Sequence, residues 1–154
     1  MNYPEPALDD LYRDLILDHY RHPRNRGELA HATAKVEGYN PLCGDEIEVE
    51  LLLEGDVIED VAFKGRGCSI SQASSSMMTD LIKGRSKAEA MALVTAFKRM
   101  MTDPEEEPPA ELGDLEAFQG VAKFPVRVKC ATLAWNTLEQ GLRENGASHT
   151  EAND

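Results

Sequence analysis

The sequence predicts an α+β fold in which a three-stranded antiparallel sheet packs against several helices, and three observations carry that expectation. From Glu46 onward apolar and acidic side chains alternate, with Ile47, Val49, Leu51 and Leu53 on one side and Glu46, Glu48 and Glu50 on the other. That is the two-residue period of a strand with one covered and one wet face. Glu54-Gly55-Asp56 then turns the chain into a second strand over 57–64. Upstream and downstream of this hairpin the apolar residues recur at three-and-four spacing, the period of amphipathic helices.

Leu8, Leu11, Tyr12, Leu15, Ile16 and Tyr20 share one helical face, with Asp9, Asp10, Arg13, Asp14 and Asp18 on the others, so a helix is expected over 8–22. Pro23 stops it, and Asn25 with Gly27 makes a turn. His19 and His22 read as partly exposed helix-end residues, since neither has a paired spacing to another ligand. A short strand over 35–39 completes the sheet.

Residues 69–83 form the next expected helix, with Ile70, Ala73, Met77 and Leu81 as its apolar stripe and Gly84 as its stop. Its serines, Ser69, Ser71, Ser74, Ser75 and Ser76, read as caps and a small-residue packing face in preference to a hydroxyl nucleophile. Ser86-Lys87-Ala88-Glu89 has the form of a capping box and opens a helix that carries Met91, Val94, Phe97 and Met101 on one face. These methionines keep helical spacing and read as core. Residues 102–109, with Glu105, Glu106, Glu107 and three prolines, form an exposed linker, and a short helix is expected over 113–120. Phe124-Pro125 leads into the last long helix, with Ala131, Ala134, Trp135, Leu138 and Leu142 on its buried face and an end near Asn145-Gly146. One domain over 1–145 and a frayed tail over 146–154 account for the 154 residues.

Chemistry concentrates at three cysteines. Cys43 and Asp45 flank Gly44 at the start of the first hairpin strand; were the strand to include them, their side chains would share a face. Cys68 follows Gly65-Arg66-Gly67 at the start of a helix, where a thiolate meets the positive end of the helix dipole. Two antiparallel strands of similar length end where they began, so the separation of 68 − 43 = 25 residues becomes spatial proximity. Cys130 lies in the first turn of the last helix. Three thiols and one carboxylate are the four ligands of a tetrahedral zinc site. Such a complex carries 2 − 4 = −2, and Lys64, Arg66, Arg127 and Lys129 lie close by in sequence to offset it. There is no Cys-x-x-Cys pair, so spacing alone leaves inert buried cysteines open beside the metal site.

Charge and cysteine usage bound the function. Sixteen lysines and arginines against 28 acidic residues give a net charge of −12, which opposes binding to nucleic acid or to an anionic membrane. No stretch approaches the ~20 apolar residues of a membrane span, and an odd number of cysteines suits a reducing, cytoplasmic compartment. A cysteine hydrolase is disfavoured because no histidine is near any of the cysteines in sequence.

Three blocks carry a resemblance: Cys-Gly-Asp at 43–45, Gly-Arg-Gly-Cys-Ser-Ile-Ser-Gln-Ala-Ser-Ser-Ser at 65–76 and Arg-Val-Lys-Cys-Ala-Thr-Leu-Ala-Trp at 127–135. Together they resemble the IscU/NifU-N family, in its SufU branch, from the first helix to about Leu142. The resemblance implies an IscU-like fold with the metal site at one tip of the sheet, and a role in iron–sulfur cluster biogenesis. IscU-type scaffolds have a histidine directly before the last cysteine, where this chain has Lys129, and a Leu-Pro-Pro-Val-Lys motif, where it has Phe124-Pro125-Val126-Arg127. The stretch between Cys68 and Cys130 is also longer than in those members, by an insertion around 96–113. All three departures look like the SufU branch, which binds Zn2+ and accepts sulfur from a SufS-type cysteine desulfurase for delivery to the SufBCD complex. By similarity Cys43 is the sulfur acceptor: a histidine of the desulfurase replaces it on zinc, while Asp45, Cys68 and Cys130 keep hold of the metal. Arg127 and Lys129 then serve in docking or charge balance, or are ordinary helix-start charges. The alternative is a scaffold on which a [2Fe–2S] cluster is assembled on the same cysteines, and a third reading is a binding module whose zinc is purely structural.

Overall fold

A computed structural model describes residues 6–42, 44–103, 105 and 107–145, with side chains from residue 13 onward. The elements in order are α1 (Pro6–Arg21), β1 (Ala34–Asn40), β2 (Asp45–Glu54), β3 (Val57–Arg66), α2 (Ser69–Ile82), α3 (Lys87–Thr102), a 3₁₀ segment (Ala110–Lys123) and α4 (Pro125–Glu144). The three strands form one antiparallel sheet in the order β1-β2-β3. Helix α4 lies across β1 and β2, α2 packs on β3 and on α4, and α1 and α3 cover α2 and α4 from outside.

The core lies between sheet and helices. Ile47, Val49, Leu51 and Phe63 come from the strands, Ala73 and Met78 from α2, and Trp135 and Leu138 from α4. Phe97 of α3 stacks on Trp135 at 4.7 Å and meets Phe118 of the 3₁₀ segment edge-on at 5.9 Å. Such ring pairs add specific geometry to the area they bury. The capping box expected at Ser86 is present, with the Ser86 hydroxyl accepting from the Glu89 N–H and the Glu89 carboxylate accepting from the Ser86 N–H.

Helix α2 is buried on nearly every side, not along a single stripe. A helix of that kind must satisfy its hydroxyls internally, and the serines do so. Ser74 Oγ donates to the Ala131 carbonyl of α4 at 2.7 Å and accepts from Trp135 Nε1 at 3.2 Å. On the opposite face Ser76 Oγ meets His19 Nδ1 at 2.7 Å and accepts from the Arg24 N–H at 2.8 Å. The serine face is a packing face, as the sequence suggests, and its hydroxyls also bind it to α1 and α4.

Three expectations need correction. His19 is buried at 6% exposure while Tyr20 is 45% exposed, so the inner face of α1 turns toward His19 rather than Tyr20; the bond to Ser76 makes that burial tolerable. The outer face of the sheet is not uniformly wet. Residues 25–27 pair with Phe63 at the outer edge of β3, and the chain then crosses that face to begin β1 at the far edge. The crossing covers Glu50, which is 1% exposed and accepts from the Leu29 N–H at 2.8 Å. The short helix expected over 113–120 is instead a longer 3₁₀ segment interrupted at Gly113, where φ is 55°, a value that glycine adopts without strain. The tail expected over 146–154 lies outside the described residues. No helix of the described residues is long and apolar enough to cross a membrane.

Candidate metal centre

Pairing of Glu46 with Arg66 aligns the start of β2 with the end of β3. Asp45 therefore faces the link 67–68 that leads into α2. Two glycines make this approach possible. At Gly65, with φ of 149°, a Cβ would lie 2.1 Å from the Glu46 carbonyl oxygen, so β3 can cross β2 there only without a side chain. At Gly67 a Cβ would lie 2.3 Å from Asp45 Oδ1 and 2.6 Å from Ser71 Oγ. The space a side chain would fill is taken by the carboxylate.

Asp45 is fully buried. Its Oδ1 accepts from the Cys68 N–H at 3.0 Å, and its Oδ2 lies 3.9 Å from Cys68 Sγ. Cys68 is the N-cap of α2 in an extended conformation, with no cap bond from its side chain, so its thiol is left to point toward the carboxylate. Cys130, 2% exposed, enters from α4, whose neighbouring residue Ala131 is tied to α2 through Ser74. Ligand atoms of Asp45, Cys68 and Cys130 all lie within 4.8 Å of one another, and among the described residues they are the one group of His, Cys, Asp or Glu so gathered.

This donor set fits a metal. Zinc–thiolate bonds of about 2.3 Å at tetrahedral angles place neighbouring sulfurs about 3.8 Å apart, so donors within the observed spacing need shift only slightly to share one ion. No lysine or arginine pairs with Asp45 among the described residues. A fully buried carboxylate without a cation is costly, and a divalent ion between the three side chains removes that cost.

Other expected site residues fall as follows. Cys43 lies outside the described residues. Strand β2 begins at Asp45, and the expectation that Cys43 and Asp45 share a face lies outside the described residues. Gly44 adopts φ of 73° and donates its N–H to the Asn40 carbonyl at 2.8 Å. Arg127 and Lys129 are exposed near the start of α4. Lys64 is bonded to Glu28 and lies 3.8 Å from Glu48, while Arg66 lies 3.5 Å from Glu46. Both of these bases are thus engaged by glutamates of the chain itself. His19 and His22 are not part of the donor group.

The model of the NifU-like N-terminal domain matches residues 11–144. The chain belongs to that family. Within it the chain is 49% identical over 142 residues to the zinc-dependent sulfurtransferase SufU of Bacillus subtilis, covering 92% of this chain and 96% of that one. It is 46% identical to the iron-sulfur cluster assembly scaffold protein IscU of Streptococcus pyogenes, covering 90% and 86%. Among solved structures, a protein described as an iron-sulfur cluster assembly scaffold for the SUF system of Fervidobacterium islandicum superposes with a TM-score of 0.78 at 38% identity, covering 84% and 94%. The NifU-like family thus includes relatives named as a sulfurtransferase and as a cluster assembly scaffold.

Proposed function

We propose that this chain is a zinc-dependent sulfur carrier of iron–sulfur cluster biogenesis, accepting persulfide sulfur from a SufS-type cysteine desulfurase and passing it to the SufBCD assembly complex. The observation that carries the reading is the convergence of Asp45, Cys68 and Cys130 at a spacing that a divalent ion fits, with Asp45 buried and paired with no lysine or arginine among the described residues. Kinship with the zinc-dependent sulfurtransferase SufU of Bacillus subtilis supports zinc as that ion, and Lys129 before the last cysteine supports the carrier over the scaffold.

Asp45, Cys68 and Cys130 hold the ion, with Cys43 as the fourth ligand. Only Gly44 separates Cys43 from Asp45, and two trans peptide units span at most about 7.6 Å; this adjacency in sequence supports Cys43 as that ligand. Bound zinc would keep the thiols deprotonated and shielded from oxidation. In the transfer, the Cys43 thiolate attacks the outer sulfur of the desulfurase persulfide. A sulfur–sulfur bond forms at Cys43 as the one on the desulfurase breaks, and the desulfurase cysteine leaves as the thiolate. Gly44 beside Cys43 suits a ligand that must move, whereas Asp45 and Cys68 are joined by a hydrogen bond. Arg127 and Lys129 offer exposed positive charge beside the site for docking in an otherwise acidic protein. A reducing cytoplasm suits this thiol chemistry, and the whole of residues 1–145 serves as one carrier domain.

The scaffold reading is favoured by the 46% identity to a protein named as a scaffold. A Cys43→Ala variant incubated with desulfurase and cysteine separates the readings. The carrier loses stimulation of the desulfurase while keeping its fold. A scaffold keeps stimulation and loses cluster formation, and a purely structural site loses metal and partly unfolds. Metal analysis of freshly purified protein, with a visible spectrum for iron–sulfur absorption, distinguishes zinc from a cluster.

A further inference from the structure

The segment His22-Pro23-Arg24-Asn25-Arg26-Gly27 after α1 enters none of the chemistry above, yet its Arg26 reaches the link that presents Cys68. The Arg26 guanidinium donates through one nitrogen to Gln72 Oε1 at 2.7 Å and through the other to the Gly65 carbonyl at 2.8 Å. Gly65 lies at the end of β3 and Gln72 in the first turns of α2. The three residues between β3's crossing point and α2, Arg66, Gly67 and Cys68, are therefore bracketed by one side chain. Gln72 also donates its N–H to the Cys68 carbonyl at 3.1 Å, so a force on Gln72 is felt at Cys68.

Arg26 is itself held in place. Its neighbours bond to Phe63, with the Phe63 N–H donating to the Asn25 carbonyl at 3.0 Å and the Gly27 N–H donating to the Phe63 carbonyl at 2.8 Å. Its guanidinium lies 5.8 Å from the centre of the Phe63 ring, within cation–π range. Asn25 adopts φ of 61° and bonds Thr79 of α2 through its amide at 3.2 Å. Two planar donors aimed at two fixed acceptors is a task for arginine; lysine offers a single point of attachment.

We propose that Arg26 is a positioning residue of the metal centre, fixing the spacing of Cys68 from Asp45 by clamping both ends of the link without touching the ion. This inference rests on the metal-binding reading above. Residues that orient a metal's ligands typically change its affinity 10–100-fold when lost.

The test compares wild type with Arg26→Met, which keeps the aliphatic stem and removes both donors, with Arg26→Lys, and with Gln72→Leu. Zinc affinity is measured by chelator competition, the ligand field by the absorption spectrum of the cobalt(II)-loaded protein, and fold stability by melting of the metal-free protein. The expected result is a zinc affinity lowered about 10–100-fold in Arg26→Met, a shifted cobalt spectrum, an intermediate loss in Arg26→Lys and Gln72→Leu, and metal-free melting close to wild type. Unchanged affinity and spectrum in Arg26→Met overturn the inference, as does an affinity loss that merely tracks a lower metal-free melting point. A wild-type protein that binds neither ion overturns the metal-binding reading itself, a result distinct from either of these.

Discussion

The Asp45 carboxylate occupies the place where residue 67 would carry a side chain: a Cβ on Gly67 would lie 2.3 Å from Asp45 Oδ1 and 2.9 Å from its Cγ. Gly67→Ala therefore forces the carboxylate aside, and with it the bond to the Cys68 N–H. The expected outcome is a zinc affinity at least ~10-fold weaker with the sheet intact, measured by chelator competition and circular dichroism. A variant that binds zinc as tightly as wild type would show that Asp45 is not held where the ion needs it.

Ser74 joins the helix that bears Cys68 to the helix that bears Cys130. Ser74→Ala leaves Trp135 Nε1, in a fully buried side chain, without its partner. The expected cost is about 1–3 kcal/mol, read from urea unfolding of the metal-free protein with an unchanged slope. A smaller change would mean that Trp135 finds another acceptor.

Acid should weaken the packing of α1 on α2 before it touches the carboxylates. Burial, and then the Arg24 charge, hold the His19 pKa below its ordinary 6.5, while Asp18, Asp80 and Asp114 pull the other way more weakly. The unfolded chain thus binds more protons at this residue than the folded one, and stability rises with pH. The contribution is present in full above about pH 6.5, declines as pH falls from there to the folded value, and is flat below it. His19→Gln should flatten the dependence of melting temperature on pH between about 7.5 and 5. An equally steep dependence in that variant would assign the titration to another group.

The hairpin was legible because it is local. Alternation over 46–53 and the turn at Gly55 fix the register, and the register brings Asp45 to Cys68. The last helix announces Cys130 through the stripe beginning at Ala131. What escaped the sequence depends on partners far along the chain. The burial of His19 depends on Ser76, 57 residues away, and Tyr20 is the more usual apolar choice in a spacing argument. The covering of Glu50 depends on a crossing segment with no period of its own. The clamp made by Arg26 needs Gly65 and Gln72 brought together first, although Arg24-Asn25-Arg26-Gly27, reading as a mere turn, was the one signal available. Cys43, the proposed acceptor, precedes the strand that would have fixed its direction.

The bond between the Asp45 carboxylate and the Cys68 backbone is made by the chain alone. Two of the donors accordingly stay in register without an ion, and a metal-free chain has no need to fold this end of the sheet anew. Metal uptake then becomes a capture event at a waiting cradle.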